Sequence, residues 1–417
     1  MTVDASRRVQ TVLVLIVGSV MGVVFLLQLT LVNQRNGPLS DFGRDLVAIS
    51  AIERGETPFQ VVTDIDPTLT ARMPPGMRPN EWLVAHTYPA LGVALAFDRA
   101  VDLPLERQEH IARIAGLALV FAEAIAFGSL LARGGSPPYM QVLIPGLFLS
   151  SVMVVEDTRW IQHAALVGLL SIGAIVAAES SDRRVVSYVL LGLAVSLRPW
   201  LAPLALGLPG RRSVVKDGIG VGSMAAAGTL VSIPFTGGWG TIPSWLDALA
   251  ANHEAWSGWR GNLAIWSGVS ATIGLAAYVV ILIAVATLAG HMQPYRRPFV
   301  AAASVLLATP LIWPHYLVAI TPVLVYSTFV RRRRTVEVAA IGGLSLAIVG
   351  VLRDALQPGW VYGPPWLAAL FMLLGGLTLG TALRWRRTRE GRAVGPNGSS
   401  SPDDATNDSS LQAMRGS

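Results

Sequence analysis

The chain has 417 residues, of which 52% are hydrophobic and only 14% are charged, and its mean hydropathy is +0.53. A soluble globular domain carries about 25% charged residues, so this chain lacks the polar residues that cover a soluble protein. Twelve apolar runs of spanning or near-spanning length account for the deficit. The composition predicts a polytopic helical membrane protein and excludes a soluble enzyme, a nucleic-acid-binding domain and a disordered scaffold.

The net charge of +6 comes from 32 basic and 26 acidic residues. The basic residues cluster in polar stretches between the apolar runs, which is the distribution that orients membrane proteins with positive loops in the cytoplasm. We therefore attribute the charge to topology and expect membrane lipids, not nucleic acid, as partners. Cysteine is absent, which excludes disulfide bonds, a thiolate nucleophile and cysteine-ligated metals.

The apolar runs predict an all-α polytopic membrane protein with about 12 transmembrane helices. Residues 1–10 are expected to form a cytoplasmic N-terminus, and the transmembrane region extends over 11–384. Several runs are shorter than the roughly 20 residues that cross a bilayer, which suggests helices that end at mid-depth around a cavity. The runs are 11–32, 86–101, 111–131, 139–155, 161–178, 185–207, 213–233, 266–289, 299–313, 315–330, 335–352 and 365–384.

Arginine-rich clusters assign most polar connections to the cytoplasmic side. Both termini then lie inside, which requires an even number of crossings. Simple alternation nevertheless places Arg183 and Arg184 outside. The conflict disappears if 86–101 is a re-entrant or partial segment and 185–207 is a hairpin broken at Arg198-Pro199, and the sequence leaves both topologies open. The cytoplasmic clusters are Arg7/Arg8, Arg211/Arg212/Lys216, Arg296/Arg297, Arg331–Arg334 and Arg384–Arg392.

Two long polar stretches, 33–85 and 234–265, are predicted to be extracytoplasmic loops. In the first, Ser40 is a candidate helix N-cap, and apolar residues at helical spacing predict an amphipathic helix over 42–53. The second contains four tryptophans, which is typical of a segment at lipid headgroup level. The last stretch, 385–417, is polar and of low complexity, so we expect a disordered cytoplasmic tail.

Asp41 is the first candidate for chemistry, because it follows the first apolar run closely and should lie just above the outer membrane face. There a carboxylate could meet a lipid-linked reactant. The alternative is a charge that only stabilises the N-terminus of the helix through the helix dipole. Asp45, one helical turn later, could serve that purpose equally well.

Further candidates lie where the chain enters the membrane. In HTYPAL, His86 and Tyr88 would place an imidazole and a phenol at the bilayer rim, although an aromatic-belt tyrosine beside a helix-starting proline also accounts for the pattern. Arg198 lies inside an apolar run, where an arginine is costly and usually faces a cavity or an anionic partner. The alternative is a side chain that extends to the membrane surface. Glu123, isolated in its run, is expected to pair with a neighbouring helix.

The stretch ATPLIWPHYLV joins two short apolar runs through a turn with two prolines. Its His315 and Tyr316 are expected on the extracytoplasmic side, because both flanking runs connect to cytoplasmic arginine clusters. His315 would there reach the same aqueous cavity as Asp41, or be structural. The second loop ends with Arg260 and Asn262, and Arg260 could bind a phosphate or a lipid headgroup.

Together these elements resemble the C-type glycosyltransferase superfamily. They are most similar to glycosyltransferase family 87, the polyprenyl-phosphate-mannose-dependent α-mannosyltransferases of actinobacterial envelopes. The similarity extends from Ser40 to about Val323. The family has an acidic residue early in the first extracytoplasmic loop, then a helix and a Gly-x-x-Pro-aromatic turn. Here the corresponding elements are Asp41, the helix over 42–53 and Gly55–Phe59.

Later elements follow in the order found in the family. Its Tyr-Pro-Pro at the membrane entry corresponds to Tyr88-Pro89-Ala90, with the second proline lost, and its [Lys/Arg]-Pro pair corresponds to Arg198-Pro199. The Asn-x-Ser-like element that closes the second loop is matched by Asn262 alone. The Ser/Thr-Pro-x-x-Trp-x-His turn is matched by 309–316. The Gly-Gln-x-x-Asn element has only a remnant at Gln162.

The resemblance implies a membrane-embedded transferase that moves a sugar on the extracytoplasmic side of the plasma membrane. It implies a polyprenyl-phosphate sugar as donor, a glycolipid or lipoglycan as acceptor, and one inverting displacement without a metal or other cofactor. Asp41 would be the general base. Donor phosphate and sugar contacts would come from Arg198, His315, Arg260, Tyr88 and Tyr316, and acceptor contacts from Asn262, Asp45 and His86.

Two other functions stay open at this stage. Polyprenyl-phosphate-arabinose-dependent arabinofuranosyltransferases resemble family 87 in the same early Asp, Tyr-Pro and Lys-Pro elements. The Trp-Pro-His-Tyr turn nevertheless favours mannose as the sugar. A lipid-linked-sugar flippase or transporter is a different class. Against it, the chain has no internal repeat and two asymmetric loops, whereas transporters usually show corresponding halves with midplane sites.

Overall fold

The structure is a computed structural model that describes residues 38–73, 82–136, 138–210, 213–257, 270–292, 297–308 and 315–329, with single positions elsewhere. These residues are mostly helical, and the only strand-like feature among them is an isolated bridge between Val61 and Leu83. The α-helices are α1 (Asp41–Glu53), α2 (Val62–Ile65), α3 (Tyr88–Val101), α4 (Leu105–Arg133), α5 (Pro138–Leu149), α6 (Val152–Trp160), α7 (Ala164–Ala178), α8 (Arg184–Leu197), α9 (Val214–Ser232), α10 (Ile242–Ser257), α11 (Ala271–His291), α12 (Arg297–Ala308) and α13 (Tyr316–Phe329). Short 3₁₀ helices cover Pro67–Arg72, Pro199–Gly207, Ile233–Phe235 and Trp239–Thr241.

Three helices in the described part of the chain are long and apolar enough to cross a membrane: α4, Val214–Phe235 and Thr272–His291. Helices α5 and α6, bent by 50° relative to each other, would make a fourth crossing if they form one span. Outward side chains on these helices are apolar; Ile125, Val231 and Leu275 are each more than half exposed. Such surfaces suit contact with lipid. The predicted runs 11–32, 335–352 and 365–384 and the tail 385–417 lie outside the described residues.

The hairpin alternative for 185–207, one of the two topologies that the sequence leaves open, is compatible with the contacts at one end of the bundle. Arg184, at the start of α8, donates hydrogen bonds to the carbonyls of Ala178 and Pro209 and pairs with Asp217 in the first turn of α9. Because Arg184 and Pro209 are in contact, the chain that leaves along α8 returns through the 3₁₀ helix. We call this the arginine end, and it comprises Arg133, Glu179, Arg184, Gly210, Asp217 and Arg297.

The predicted partial segment 86–101 corresponds to α3, which is too short to be among the candidate spans. It lies against α1: the rings of Phe97 and Phe42 meet edge to face, with centroids 5.2 Å apart. The two helices bury Leu46 and Leu95 in one small apolar cluster. This packing agrees with the re-entrant or partial alternative for 86–101.

The opposite end of the bundle collects most of the candidate residues. We call it the site end, and a buried apolar core made by α4 to α9, α12 and α13 separates it from the arginine end. A second apolar cluster, around Trp82 and Tyr88, packs the first loop against Ile233 and Ala248. The site end comprises Ser40, Asp41, Asp45, His86, Glu109, Gln162, His163, Arg198 and His315.

Candidate functional site

Asp41 is the first residue of α1, and the local sequence sets that position. Ser40 is the N-cap: its backbone is extended, and its side-chain oxygen accepts a hydrogen bond from the Gly43 N–H at 2.9 Å. This confirms the predicted N-cap. A cap of this type stabilises a folded protein by about 1 kcal/mol. Because a helix N-terminus favours negative charge, the Asp41 carboxylate is stabilised there. Its side chain is 21% exposed.

Basic side chains balance the charge of Asp41. Arg44, one turn later on α1, pairs with Asp41 and also donates to the Leu83 carbonyl at 3.1 Å. Burial tends to raise the pKa of Asp41, but the charge of Arg44, helped by His86 and His315, outweighs it and lowers the pKa below its ordinary value. Asp41 is therefore a carboxylate at neutral pH, the form that can accept a proton.

Asp45 and His86 form a pair in the wall of the site. Asp45 is fully buried, and His86 Nδ1 lies 2.6 Å from its Oδ1, so that the ring N–H can donate to the carboxylate. Asp45 Oδ2 has no hydrogen-bond partner within the described residues. A carboxylate bound to one ring nitrogen fixes the orientation of the imidazole and leaves the other nitrogen for a neighbour or substrate. The acceptor-binding role of both residues stays a prediction.

Arg198 lies where α8 ends, because Pro199 lacks a backbone N–H and disfavours helical geometry in the residue before it. The side chain is buried, which is compatible with the alternative in which it faces a cavity; its contact with a donor phosphate stays a prediction. Its Nη2 donates to Gln162 Oε1 at 2.7 Å. Gln162 is thus next to Arg198 in space although 36 positions separate them in the chain.

The turn before α13 brings His315 to the same place. His315 is buried, and its ring interacts electrostatically with Asp41 and Arg198. The next residue, Tyr316, stacks on Trp200, with ring centroids 4.6 Å apart and the planes inclined by 12°. This stack joins the start of α13 to the segment that follows Arg198.

Four chain segments therefore bring Asp41, His86, Arg198 and His315 together. Around them lie buried polar atoms that have no hydrogen-bond partner in the described part of the chain, whereas roughly 90% of buried polar atoms in proteins have one. Unpaired donors and acceptors of this kind are the groups with which a pocket binds a polar ligand. These atoms are Asp45 Oδ2, Gln162 Nε2, both ring nitrogens of His163, and Trp200 Nε1.

Sequence reasoning assigned no role to Arg44, His163 or Trp200. The i, i+3 spacing of Asp41 and Arg44 is a local signal that could have identified their pair. No local signal marks His163, whose ring packs edge-on against Phe42 at 5.5 Å. That contact depends on how the turn between α6 and α7 approaches α1.

Tyr88 lies in the apolar cluster between the two loops. Its hydroxyl is 3.0 Å from Thr241 Oγ1, and its ring packs against Phe59 and Trp245 with centroids 5.1 and 5.3 Å away. These contacts give Tyr88 a packing role that joins the first loop to the second, and its donor contact stays a prediction. Two more predicted site residues, Arg260 and Asn262, lie outside the described residues.

Two further carboxylates are buried deeper in the bundle. Glu123 of α4 packs so closely on Gly168 of α7 that a Cβ there would lie 1.8 Å from its Oε1. Glu123 thus contacts a neighbouring helix, but neither carboxylate oxygen is hydrogen-bonded to a described residue, so the expected pairing is not seen in this part of the chain. Asp157 of α6 lies in electrostatic range of both Glu123 and Arg198.

In the described ranges, no group of three or more His, Asp or Glu side chains is arranged to hold a metal ion. The chain matches no protein-family model, no curated protein and no solved structure.

Proposed function

We propose that the protein is a membrane glycosyltransferase that moves a mannosyl residue from polyprenyl-phosphate mannose to a glycolipid or lipoglycan of the cell envelope. The observation that supports this proposal is the meeting of Asp41, Arg198 and His315 in one polar cluster at the site end of an apolar bundle. Transfer from a lipid-linked sugar phosphate needs a base for the acceptor, a cation for the departing phosphate and access from lipid. The cluster and its surroundings offer a group for each.

In the proposed reaction, Asp41 accepts the proton of the acceptor hydroxyl as its oxygen attacks the anomeric carbon of the sugar. The bond between that carbon and the phosphate oxygen breaks, and its electron pair leaves with the polyprenyl phosphate. Arg198 and His315 stabilise the negative charge that develops on the phosphate. This single displacement inverts the anomeric centre, and the proposal includes no metal or cofactor.

An apolar groove on the surface of the bundle is compatible with a lipid-linked donor. The groove has a volume of about 320 Å³ and lies between α8, α9, α11 and the 3₁₀ helix Pro199–Gly207. Val195 and Ala202 line it, three positions before and four positions after Arg198 in the chain. An isoprenoid chain is apolar throughout, so it suits a groove of this kind.

We further propose that the site end faces the extracytoplasmic side of the plasma membrane in a multi-pass arrangement, because the arginine clusters favour the cytoplasm for the other end. Native cysteine is absent, so single cysteines report the sidedness directly. Asp64→Cys in the first loop and Asp182→Cys at the arginine end replace exposed residues. In intact cells, an impermeant maleimide should label position 64 and leave 182 unlabelled until the membrane is permeabilised. Labelling of 182 alone would contradict this orientation.

The activity is tested by incubating the purified protein with polyprenyl-phosphate mannose or polyprenyl-phosphate arabinose and a panel of envelope glycolipids. We expect a mannosylated lipid from the wild-type protein and from the exposed-loop control Asp64→Asn, and almost none from Asp41→Asn. An arabinosylated product would favour an arabinofuranosyltransferase. Movement of the lipid-linked sugar across vesicles, without transfer, would contradict the proposal and favour a flippase.

A further inference from the structure

Glu109 holds the start of the helix that carries Asp41. It lies in the second turn of α4 and is almost fully buried. Its Oε1 accepts two hydrogen bonds from Ser40, one from the backbone N–H at 3.0 Å and one from the hydroxyl at 2.6 Å. The same hydroxyl oxygen accepts from the Gly43 N–H. Ser40 is thus fixed from two sides, and Asp41 is the next residue in the chain.

The approach of α1 to Glu109 is so close that a side chain at position 43 would displace the Glu109 carboxylate. A Cβ on Gly43 would lie 2.5 Å from Glu109 Oε1, well inside the contact distance of real side chains. The second carboxylate oxygen of Glu109 pairs with Arg72, whose carbonyl accepts from the Leu39 N–H at 2.9 Å. Glu109 therefore connects three segments: α4, the start of α1 and the end of the 3₁₀ helix in the first loop.

We infer that Glu109 is a positioning residue for the transfer reaction, acting through Ser40 to hold the Asp41 carboxylate in its productive place. The inference rests on the proposed function of Asp41. Hydrogen bonds to an ionised carboxylate are stronger than neutral ones, and a misplacement of about 1 Å at a reacting group can cost about 100-fold in rate. The described contacts of Glu109 are with the helix start and the first loop, so it should affect turnover and not donor binding.

The activity test compares Glu109→Gln with Glu106→Gln, which replaces an exposed carboxylate one turn earlier on α4. Glutamine keeps an acceptor oxygen but loses the charge. We expect Glu109→Gln to lower kcat about 10- to 100-fold with an unchanged KM for the donor, and Glu106→Gln to match the wild type. Ser40→Ala should lower kcat in the same way, and Ser40→Thr, which retains the hydroxyl, should restore most of it.

A second readout does not depend on activity. Hydrogen–deuterium exchange of the peptide covering the first turn of α1 should be several-fold faster in Glu109→Gln than in wild type or Glu106→Gln, while exchange in α3 stays unchanged. Wild-type kcat and wild-type exchange in Glu109→Gln would overturn the inference and leave the proposed function intact. A fall in kcat and a rise in donor KM together, with exchange increased throughout the chain, would show a general structural role and also overturn it. If the wild-type protein transfers no sugar from any donor, the proposed function is overturned, and the role of Glu109 in the reaction is overturned with it.

Discussion

The buried arginines at the two ends of the bundle, Arg184 and Arg198, differ in how completely they and their polar neighbours are paired. At the arginine end, Arg184 donates from Nε and Nη2 to Asp217 and from Nη1 to two backbone carbonyls, and Asp217 also accepts from the Tyr188 hydroxyl at 2.8 Å. At the site end, Arg198 has Gln162 as its hydrogen-bond partner, and several neighbouring polar atoms have none among the described residues.

This difference separates groups that serve the fold from groups that serve a ligand. A buried ion pair is tolerable only when hydrogen bonds satisfy its remaining donors and acceptors, and the Arg184 network meets that condition by itself. Around Asp41 and Arg198 at the site end, several buried donors and acceptors have no hydrogen-bond partner among the described residues. We therefore expect substitutions at the site end to change catalysis, and substitutions at the arginine end to change stability.

The largest effect is expected at the site end, for Asp41→Asn. Asparagine keeps the size of the side chain but cannot take the proton, so transfer should fall by roughly 10²- to 10⁴-fold with donor binding retained. Asp45→Asn should retain much of the activity, because its amide oxygen can still accept from His86. Initial rates at saturating donor, measured on proteins with equal unfolding midpoints, test the ranking. An inactive Asp45→Asn beside an active Asp41→Asn would reverse the assignment.

At the arginine end, Arg184→Ala should destabilise the fold while preserving turnover per folded molecule. Removing one partner of a buried pair leaves Asp217 buried with less compensation, which typically costs about 3–5 kcal/mol. Arg183→Ala is the matched control, because Arg183 is the exposed neighbour of Arg184. Denaturation in detergent gives the free energy of unfolding. If Arg184→Ala is as stable as Arg183→Ala, the pairing does not hold the hairpin together.

Much of the fold was predictable, because its signals are local. The cap at Ser40 and the helix that follows depend on neighbouring residues, and the structure has them where the sequence predicts. The topology of 86–101 and 185–207 stayed undecided, because it depends on contacts such as that of Arg184 with Asp217, 33 positions apart. Counting arginines to assign topology treats Arg184 as an unpaired charge, whereas in the structure it pairs with Asp217.

Residues of the site were predictable from the sequence only where the residue type itself was an anomaly in its local sequence. Arg198 drew attention as an arginine inside an apolar run, and His315 as a histidine in a double-proline turn. His163 carried no such anomaly, and its place beside Asp45 and Arg198 depends on tertiary packing. Sequence patterns therefore indicated the charged groups of the site but not the polar groups that line it.

A smaller effect is expected for Arg198→Ala, which tests whether the less-paired guanidinium binds a phosphate. Loss of one cation at a leaving phosphate should lower kcat/KM for the donor by about 10²-fold. Arg198→Lys should keep part of the activity, since lysine supplies a point charge without the bidentate fork. Steady-state kinetics with varied donor give both constants. Wild-type constants in a folded Arg198→Ala protein would show that the phosphate does not contact Arg198.

The smallest effect at neutral pH is expected for Arg44→Gln, which sharpens the comparison within the site end by removing the ion pair between Arg44 and Asp41. Arg44 lowers the pKa of Asp41 against the opposing effect of burial, so the wild-type carboxylate stays ionised to a lower pH than an ordinary aspartate does. Without Arg44 that pKa should rise, and the acidic limb of kcat/KM should move to higher pH, with only a small change near pH 7. His86 and His315 face Asp41 in both proteins, so the difference between the two profiles reports Arg44 alone.

Arg54→Gln, at the exposed end of α1, is the control and should keep the wild-type profile. An unshifted acidic limb in Arg44→Gln would mean that the group whose protonation stops the reaction is not Asp41.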